Sequence, residues 1–239
     1  HKQNIGGTVM KLATIERDTD HAHVAVVTAD NELLDLVALR GTLAAATAVP
    51  AEMRKLLAGG AAALAAVQSC LDAVAGMSPD EQAALRSSGV LQAWDDASFL
   101  PVVPDPSIIL SVGMNYRDHL DEMENIPTPK NPPAFLMTHP ALNGHRKPII
   151  APAQCPDMID YEGELTLVFG KSCHNIEEAE AMDYVAGYTI ANDVSARDWV
   201  GAWFAATEPM DVVGTWDRNL LGKQLPTFCP LGPVIVTKD

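Results

Sequence analysis

The chain is short of positive charge, of paired cysteines and of long apolar runs, and each shortage removes a class of protein. Its 16 Lys and Arg stand against 31 Asp and Glu, a formal net charge of −15. A protein that binds nucleic acid by neutralising phosphates needs the opposite balance. The deficit does not argue for acidic substrates, which need only a local positive site, supplied by a metal ion or a few Lys and Arg. The four cysteines, Cys70, Cys155, Cys173 and Cys229, are irregularly spaced and form no CxxC pair. That spacing predicts reduced, mostly buried thiols in a cytoplasmic protein. The longest apolar run, residues 56–67, is too short to span a bilayer, and no membrane contact is expected. Neither a secretory signal nor an internal repeat is visible.

What is present is a chain of 239 residues, 48% of them hydrophobic, enough for one large domain or two smaller ones around a sizeable core. Met10-Lys-Leu-Ala-Thr-Ile reads like a natural start, so residues 1–9 are expected to be an extension, natural or added. Alternation in Lys11–Ile15 and His23–Val27, with a turn signal at Asp30-Asn31, predicts a small antiparallel sheet. Residues 51–75 read as helix, weakened at Gly59-Gly60. Ser78-Pro-Asp-Glu81 is a capping box with Pro at the first helical position, opening a helix to about Ser87 that stops at Gly89. The Pro-rich stretch 101–106 is the expected boundary between an N-terminal domain, residues 10–100, and a second domain, residues 105–239.

The second part has a different texture. Short strands are expected at Ile108–Val112, Ala134–Met137, Leu165–Phe169, Gly187–Ala191 and Val234–Val236, with short helices at 115–123 and at 175–182, the latter capped by Asn175. A Pro-rich loop carries Pro127, Pro129, Pro132 and Pro133. Many short strands and few helices predict a β-rich α+β architecture.

Two constellations carry chemistry. Glu162 and Glu164 are two apart at the head of the apolar run 165–169, so in a strand they share a face. Two carboxylates side by side repel unless a cation sits between them. A third, Asp193, ends the strand-like run Val185–Val194. Three carboxylates without a nearby His or Cys suit a hard divalent ion, Mg2+, Mn2+ or Ca2+. Surface acids at strand ends remain the alternative from spacing alone. The second constellation is His119 with Glu122, at i and i+3 of a helix and therefore on one face. A carboxylate beside an imidazole fixes its tautomer, as a general base for water requires. The alternative is an ordinary surface His on an acidic helix.

Four motifs in order, Gly113-Met-Asn-Tyr-Arg-Asp-His119, Tyr161-Glu-Gly-Glu-Leu165, Gly187-Tyr-Thr-Ile-Ala-Asn-Asp-Val-Ser-Ala-Arg-Asp198 and the segment from Gly222-Lys223 to Thr-Phe-Cys-Pro-Leu-Gly-Pro233, resemble the fumarylacetoacetate hydrolase (FAH) family. The resemblance covers about residues 105–239. It implies a mixed β-sandwich roll with a smaller N-terminal α/β domain, usually as a homodimer. It also implies Mg2+ or a similar ion on Glu162, Glu164 and Asp193, a His119–Glu122 dyad, an active-site Lys223 and a supporting Arg197. The implied activity is hydrolysis of a C–C bond in an acylpyruvate or 2,4-diketo acid, in catabolism of aromatic or sugar acids. A 2-oxo acid would chelate the metal, the metal would stabilise the enolate as a Lewis acid, Lys223 would add charge at the oxyanion, and His119 would activate water. The same site could instead serve a 2-oxo acid decarboxylase or a keto–enol isomerase, and a non-catalytic binding protein on the same fold is the alternative of another class.

The pattern also departs from the family. Met137 stands where many members carry Lys, and Val200 where hydrolases can carry a polar substrate contact. The stretch from Trp199 through Trp203 and Phe204 to Trp216 is aromatic, expected either to line a pocket for a bulky acyl group or to pack. The family pattern continues past Asp239 with further strands.

Overall fold

A computed structural model describes residues 9–17, 21–122, 129–201 and 205–238. The N-terminal part forms strands β1 (Lys11–Arg17), β2 (His21–Val27) and β3 (Glu32–Asp35), helices α1 (Met53–Ala58), α2 (Gly60–Ala75) and α3 (Pro79–Ser87), and a short β4 (Leu91–Ala93). The expected break at the glycine pair is real: Gly60 takes φ +54, a left-handed conformation that side chains disfavour, and the chain turns from α1 into α2 there. The capping box is also present. The Glu81 backbone N–H donates to Ser78 Oγ at 3.3 Å, and the Ser78 N–H donates to Glu81 Oε2 at 2.8 Å.

The second part supplies β5 (Leu110–Val112), α4 (Arg117–Glu122), β6 (Ala134–Leu136), β7 (Leu142–Asn143), β8 (Ile159–Asp160), β9 (Gly163–Phe169), β10 (Val185–Asn192), β11 (Ser195–Ala196), α5 (Arg197–Val200), α6 (Pro209–Leu221), β12 (Cys229–Pro230) and β13 (Val234–Thr237). Seven strands make one sheet in the order β4-β3-β2-β1-β13-β10-β9, and three two-stranded pairs, β5–β6, β8–β11 and β7–β12, surround it. Among the described residues, only β7 and β12 run parallel; the other pairings are antiparallel. Both parts of the chain therefore build the same sheet, with β1 paired to β13 from Lys11↔Val236 to Ala13↔Val234. On the other side of β13, Gly187 permits the pairing with β10, because a side chain there would collide with the Val236 carbonyl.

The core follows from the sheet's two faces. Leu12, Val24, Val26, Leu34 and Leu36 pack with Leu56, Val67 and Cys70 of the helices and with Val102, Leu231 and Ile235. Ala13, Ile15, Ala25 and Leu33 meet Phe99 on the opposite face. The 101–106 stretch is thus anchored: Val102 is fully buried, donates its N–H to the Leu231 carbonyl at 3.0 Å and accepts from Thr14 Oγ1 at 2.7 Å. Three of the four cysteines are buried and all are free. Among the described residues no single helix is long and apolar enough to cross a membrane.

Two expectations need correction. The helix at 175–182 is a 3-10 helix, Glu178–Tyr184, and its cap is Glu177, whose side chain pairs reciprocally with Glu180. Asn175 instead sits at φ +53, a turn conformation Asn tolerates. The thirteen-residue α6 falls where no helix was expected. Residues 1–8, Met123, Glu124, Pro127, Trp203 and Phe204 lie outside the described residues, as does the side chain of Val200.

Candidate active site

Three pieces of chain bring the site together. Glu162 precedes β9 and Glu164 is its second residue; Asp193 follows β10, and the β9–β10 pairing sets Ala191 opposite Glu164. The two strands are tied at this end by Asn192, whose Oδ1 accepts from Glu162 N–H at 3.0 Å, and by Asp193 N–H donating to the Glu162 carbonyl at 2.9 Å. Lys223 arrives from the other direction. It lies just past α6, where Gly222 receives the Ala196 N–H at 3.1 Å. The Lys223 side chain enters between two of the carboxylates, with Nζ 2.6 Å from Glu162 Oε2 and 3.1 Å from Asp193 Oδ2.

This ammonium is 5% exposed and Asp193 4%. Burying charges this far costs several kcal/mol of solvation per ion, repaid only by close pairing. A buried ion pair is weak evidence of stability and is better explained by use. Glu162 is the most heavily partnered member: the Arg197 guanidinium and Ser195 Oγ both donate to Oε1 while Lys223 holds Oε2. Arg197 also binds Asp160 Oδ2 through Nε at 3.1 Å, which fixes it as a support for Glu162. Asp193 receives Ser111 Oγ at 3.1 Å on Oδ2, yet its Oδ1 is buried without a partner.

The electrostatics match this unequal treatment. Burial pushes the Asp193 carboxyl above the usual range; Lys223 opposes that rise and Glu162 adds to it. Burial likewise pushes Glu164 up, helped by the charges of Asp193 and Glu162 and opposed by a hydrogen bond from Tyr116 and by Lys223. Burial, with the Asp193 charge, pushes the Cys229 thiol up to about 12, so it stays protonated at neutral pH and is no free nucleophile.

The expected carboxylate trio is present but is not closed around a common point. Among the described residues, no group of three His, Cys, Asp or Glu side chains is gathered closely enough to hold a metal ion. The physical reason is visible: Arg197, Ser195 and Lys223 draw Glu162 to themselves, and Lys223 stands where two of the carboxylates converge. The donor set still suits a hard cation. It consists of oxygen ligands, one of them an orphaned buried carboxylate oxygen and another, Glu164, left short of positive charge.

His119 and Glu122 share a face of α4, with Nδ1 3.9 Å from Glu122 Oε2, at the loose end of an ion pair. Both are exposed, His119 at 54% by side chain, and among the described residues neither bonds to the Lys223 network. Met137, at the position of the missing Lys, packs with Ala141 and Cys229. Trp199 packs against the buried cluster of Cys155, Val194, Ala196 and Phe228, and Trp216 is about half exposed. Ser111 and Ser195 were not foreseen as site residues; isolated serines in strands carry no sequence signal, and only the fold carries them to the carboxylates.

The sequence model of the fumarylacetoacetate hydrolase C-terminal domain matches residues 108–239, more than half of the chain and all of the site described above. The chain belongs to the fumarylacetoacetate hydrolase family. Among FAH-family relatives, the mitochondrial oxaloacetate tautomerase fahd2 of Xenopus laevis is 39% identical over 80% of this chain and 51% of its own length. The human mitochondrial oxaloacetate tautomerase FAHD2B is 41% identical over 61% of this chain and 42% of its own. The chain thus spans about half the length of the curated relatives it matches. Among solved structures, the fumarylacetoacetate hydrolase of Exiguobacterium antarcticum aligns with a TM-score of 0.61 at 26% identity, covering 95% of this chain and 66% of that one. Maleylpyruvate hydrolase from Sphingobium sp. SYK-6, solved with manganese(II) and pyruvate, shares the fold with a TM-score of 0.63 at 24% identity, covering 96% and 68%. The architecture is accordingly the α+β fold of the FAH family, with mixed sheets and no closed barrel.

Proposed function

We propose that this chain holds a divalent cation, Mg2+ or Mn2+, on Glu162, Glu164 and Asp193 and enolises a small 2-oxo acid, with tautomerisation of an oxaloacetate-type substrate as the leading reaction. The observation that carries the reading is the Lys223 ammonium buried between Glu162 and Asp193, beside an unpartnered Asp193 Oδ1 and an undercompensated Glu164. When bound, the cation supplies Lewis-acid polarisation of the 2-oxo group. Lys223 offers a fixed positive charge, from a buried position, to the enolate oxygen as it develops. Arg197 and Ser195 keep Glu162 in place. His119, oriented by Glu122, carries a proton between the substrate carbon and solvent, a task its exposure suits. The relatives named oxaloacetate tautomerase, at 39–41% identity, support this choice.

Hydrolysis of the C–C bond in an acylpyruvate is the second reading. It shares the enolate, and the His119–Glu122 pair favours it as a device for activating water; decarboxylation of a 2-oxo acid would draw on the same centre. A homodimer goes with either reading.

The test begins with calorimetry. Wild-type protein is expected to bind one Mn2+ or Mg2+ per chain, and Glu164→Ala to abolish that binding while its circular dichroism stays unchanged. No binding by the wild type refutes the metal enzyme and leaves a binding protein on an enzyme fold. Enol-to-keto conversion of oxaloacetate is then followed by ultraviolet absorbance. Faster conversion with no pyruvate released supports the tautomerase. Pyruvate from an acylpyruvate panel, with no effect on the oxaloacetate enol, moves the assignment to the hydrolase.

A further inference from the structure

Helix α4 carries the His119–Glu122 pair, yet it is six residues long and buries none of its side chains. Packing therefore does not place it. Isolated helices of this length are not stable in water, so the contacts at its ends decide where the pair stands. Two hydroxyls in the segment leading into it reach the site strands. Ser111 of β5 donates to Asp193 Oδ2 at 3.1 Å. Tyr116, the residue just before α4, reaches β9: its hydroxyl oxygen accepts the Leu165 backbone N–H at 3.0 Å, which ties the phenol to the residue after Glu164. The first turn of the helix is built on the same residue, since Leu120 N–H donates to the Tyr116 carbonyl at 3.1 Å.

The position of β9 explains why a side chain is needed. It is the edge strand of the seven-stranded sheet, so among the described residues its outward N–H groups have no neighbouring strand. Leu165 N–H is one of these, adjacent in sequence to Glu164. A phenol is suited to this contact because its oxygen accepts the N–H at the end of a rigid side chain. A phenylalanine ring would fill the same space and accept nothing.

We propose that Tyr116 is a positioning residue, docking the His119-bearing helix on the β9 edge and aiming the Glu164 carboxylate into the metal site. The inference rests on the metal reading given above. It assigns Tyr116 a role through Glu164 and through the start of α4, and no contact with the reacting atoms. Groups that orient a ligand carboxylate typically change metal affinity by about 10–100-fold when removed.

The experiment compares the wild type with Tyr116→Phe. Mn2+ affinity is measured by calorimetry, and amide hydrogen exchange is read by mass spectrometry on peptides covering 113–122 and 163–169. The expected result is affinity weakened about tenfold, with faster exchange in both peptides. If exchange at Leu165 rises while Mn2+ affinity is unchanged, Tyr116 merely caps a sheet edge and the proposal is overturned. Should the variant fail to fold, the wild type decides: Mn2+ is expected to slow exchange in the 113–122 peptide, and unchanged exchange there refutes the coupling. A wild type that binds no Mn2+ defeats the metal reading itself; a wild type and variant that bind equally defeat only this inference.

Discussion

The N-terminal sheet with its helices and the strand pair that carries the site are parts of one β-sheet held by different forces. Around β1–β3, Leu12, Ile15, Leu33, Leu34 and Leu36 are fully buried between the helices on one face and Phe99 on the other. At β9 the outward residues Leu165, Leu167 and Phe169 are exposed, Leu165 at 63%, and α4 and α6 bury no side chain. What holds the site end is polar: Lys223, Arg197, Ser111 and Ser195 donate to the carboxylates, and Asn192 and Tyr116 accept from the backbone N–H groups of Glu162 and Leu165. Apolar burial is non-directional and tolerates variation in detail. Directed polar contacts set positions to within a few tenths of an ångström, which a reactive centre requires. The charges follow the same division. On the N-terminal side Lys147 and Ser98 hold Glu16 below the usual carboxylate range, and Arg86 does so for Glu32, whereas Glu164 and Asp193 are pushed above it by burial.

Matched truncations break the comparison most directly. Leu34→Ala is expected to cost about 2–5 kcal/mol in urea unfolding, as for a filled core site losing its side chain. Leu165→Ala at the exposed face should stay within about 0.5 kcal/mol. Equal losses would mean that the β9 face is as closely packed as the core. Next in size is His119→Ala, expected to leave unfolding and Mn2+ binding unchanged and to lower turnover about 100-fold through loss of proton transfer. Undiminished turnover removes His119 from the chemistry.

The smallest effect sharpens the electrostatic contrast. A carboxyl whose pKa is raised on folding stabilises the protein below its unfolded pKa and loses that contribution as pH rises through the folded value. At neutral pH, in metal-free buffer, Glu164 is therefore a liability, and Glu164→Gln should raise the melting temperature. The gain should fade as the pH falls through the ordinary glutamate value of about 4.3 and be gone well below it, where the wild-type carboxyl is protonated in both states. Glu32 has the opposite sign: its lowered pKa gives stability at neutral pH that is lost on acidification, so Glu32→Gln should melt earlier at neutral pH and match the wild type in acid.

Much of the N-terminal part was legible because its signals are local. The capping box at Ser78 and Glu81 needs three residues to be read, and Gly60 marks its own break by the backbone it permits. Helix α6 was not legible. Its interior holds Val212, Val213, Gly214 and Thr215, poor helix formers, which obscure the apolar face that Val213, Trp216 and Leu220 present at helical spacing. Asn175 misled because Asn serves helix caps and left-handed turns equally well. The pairing of Glu162 with Glu164 was readable from a period of two. That Lys223, 61 residues further on, would stand between Glu162 and Asp193 was not.

The sequence by itself determined the family, the hard-oxygen character of the carboxylates and the candidate residues, because these depend on residue type and short spacing. Only the tertiary structure decided which of them meet. It placed Lys223 among the acids, gave Glu162 three donors and Asp193 an unpartnered oxygen, and left His119 and Glu122 exposed on α4. The reason is physical: charge interactions fall off with distance and depend on burial, and neither quantity exists until strands far apart in the chain have paired.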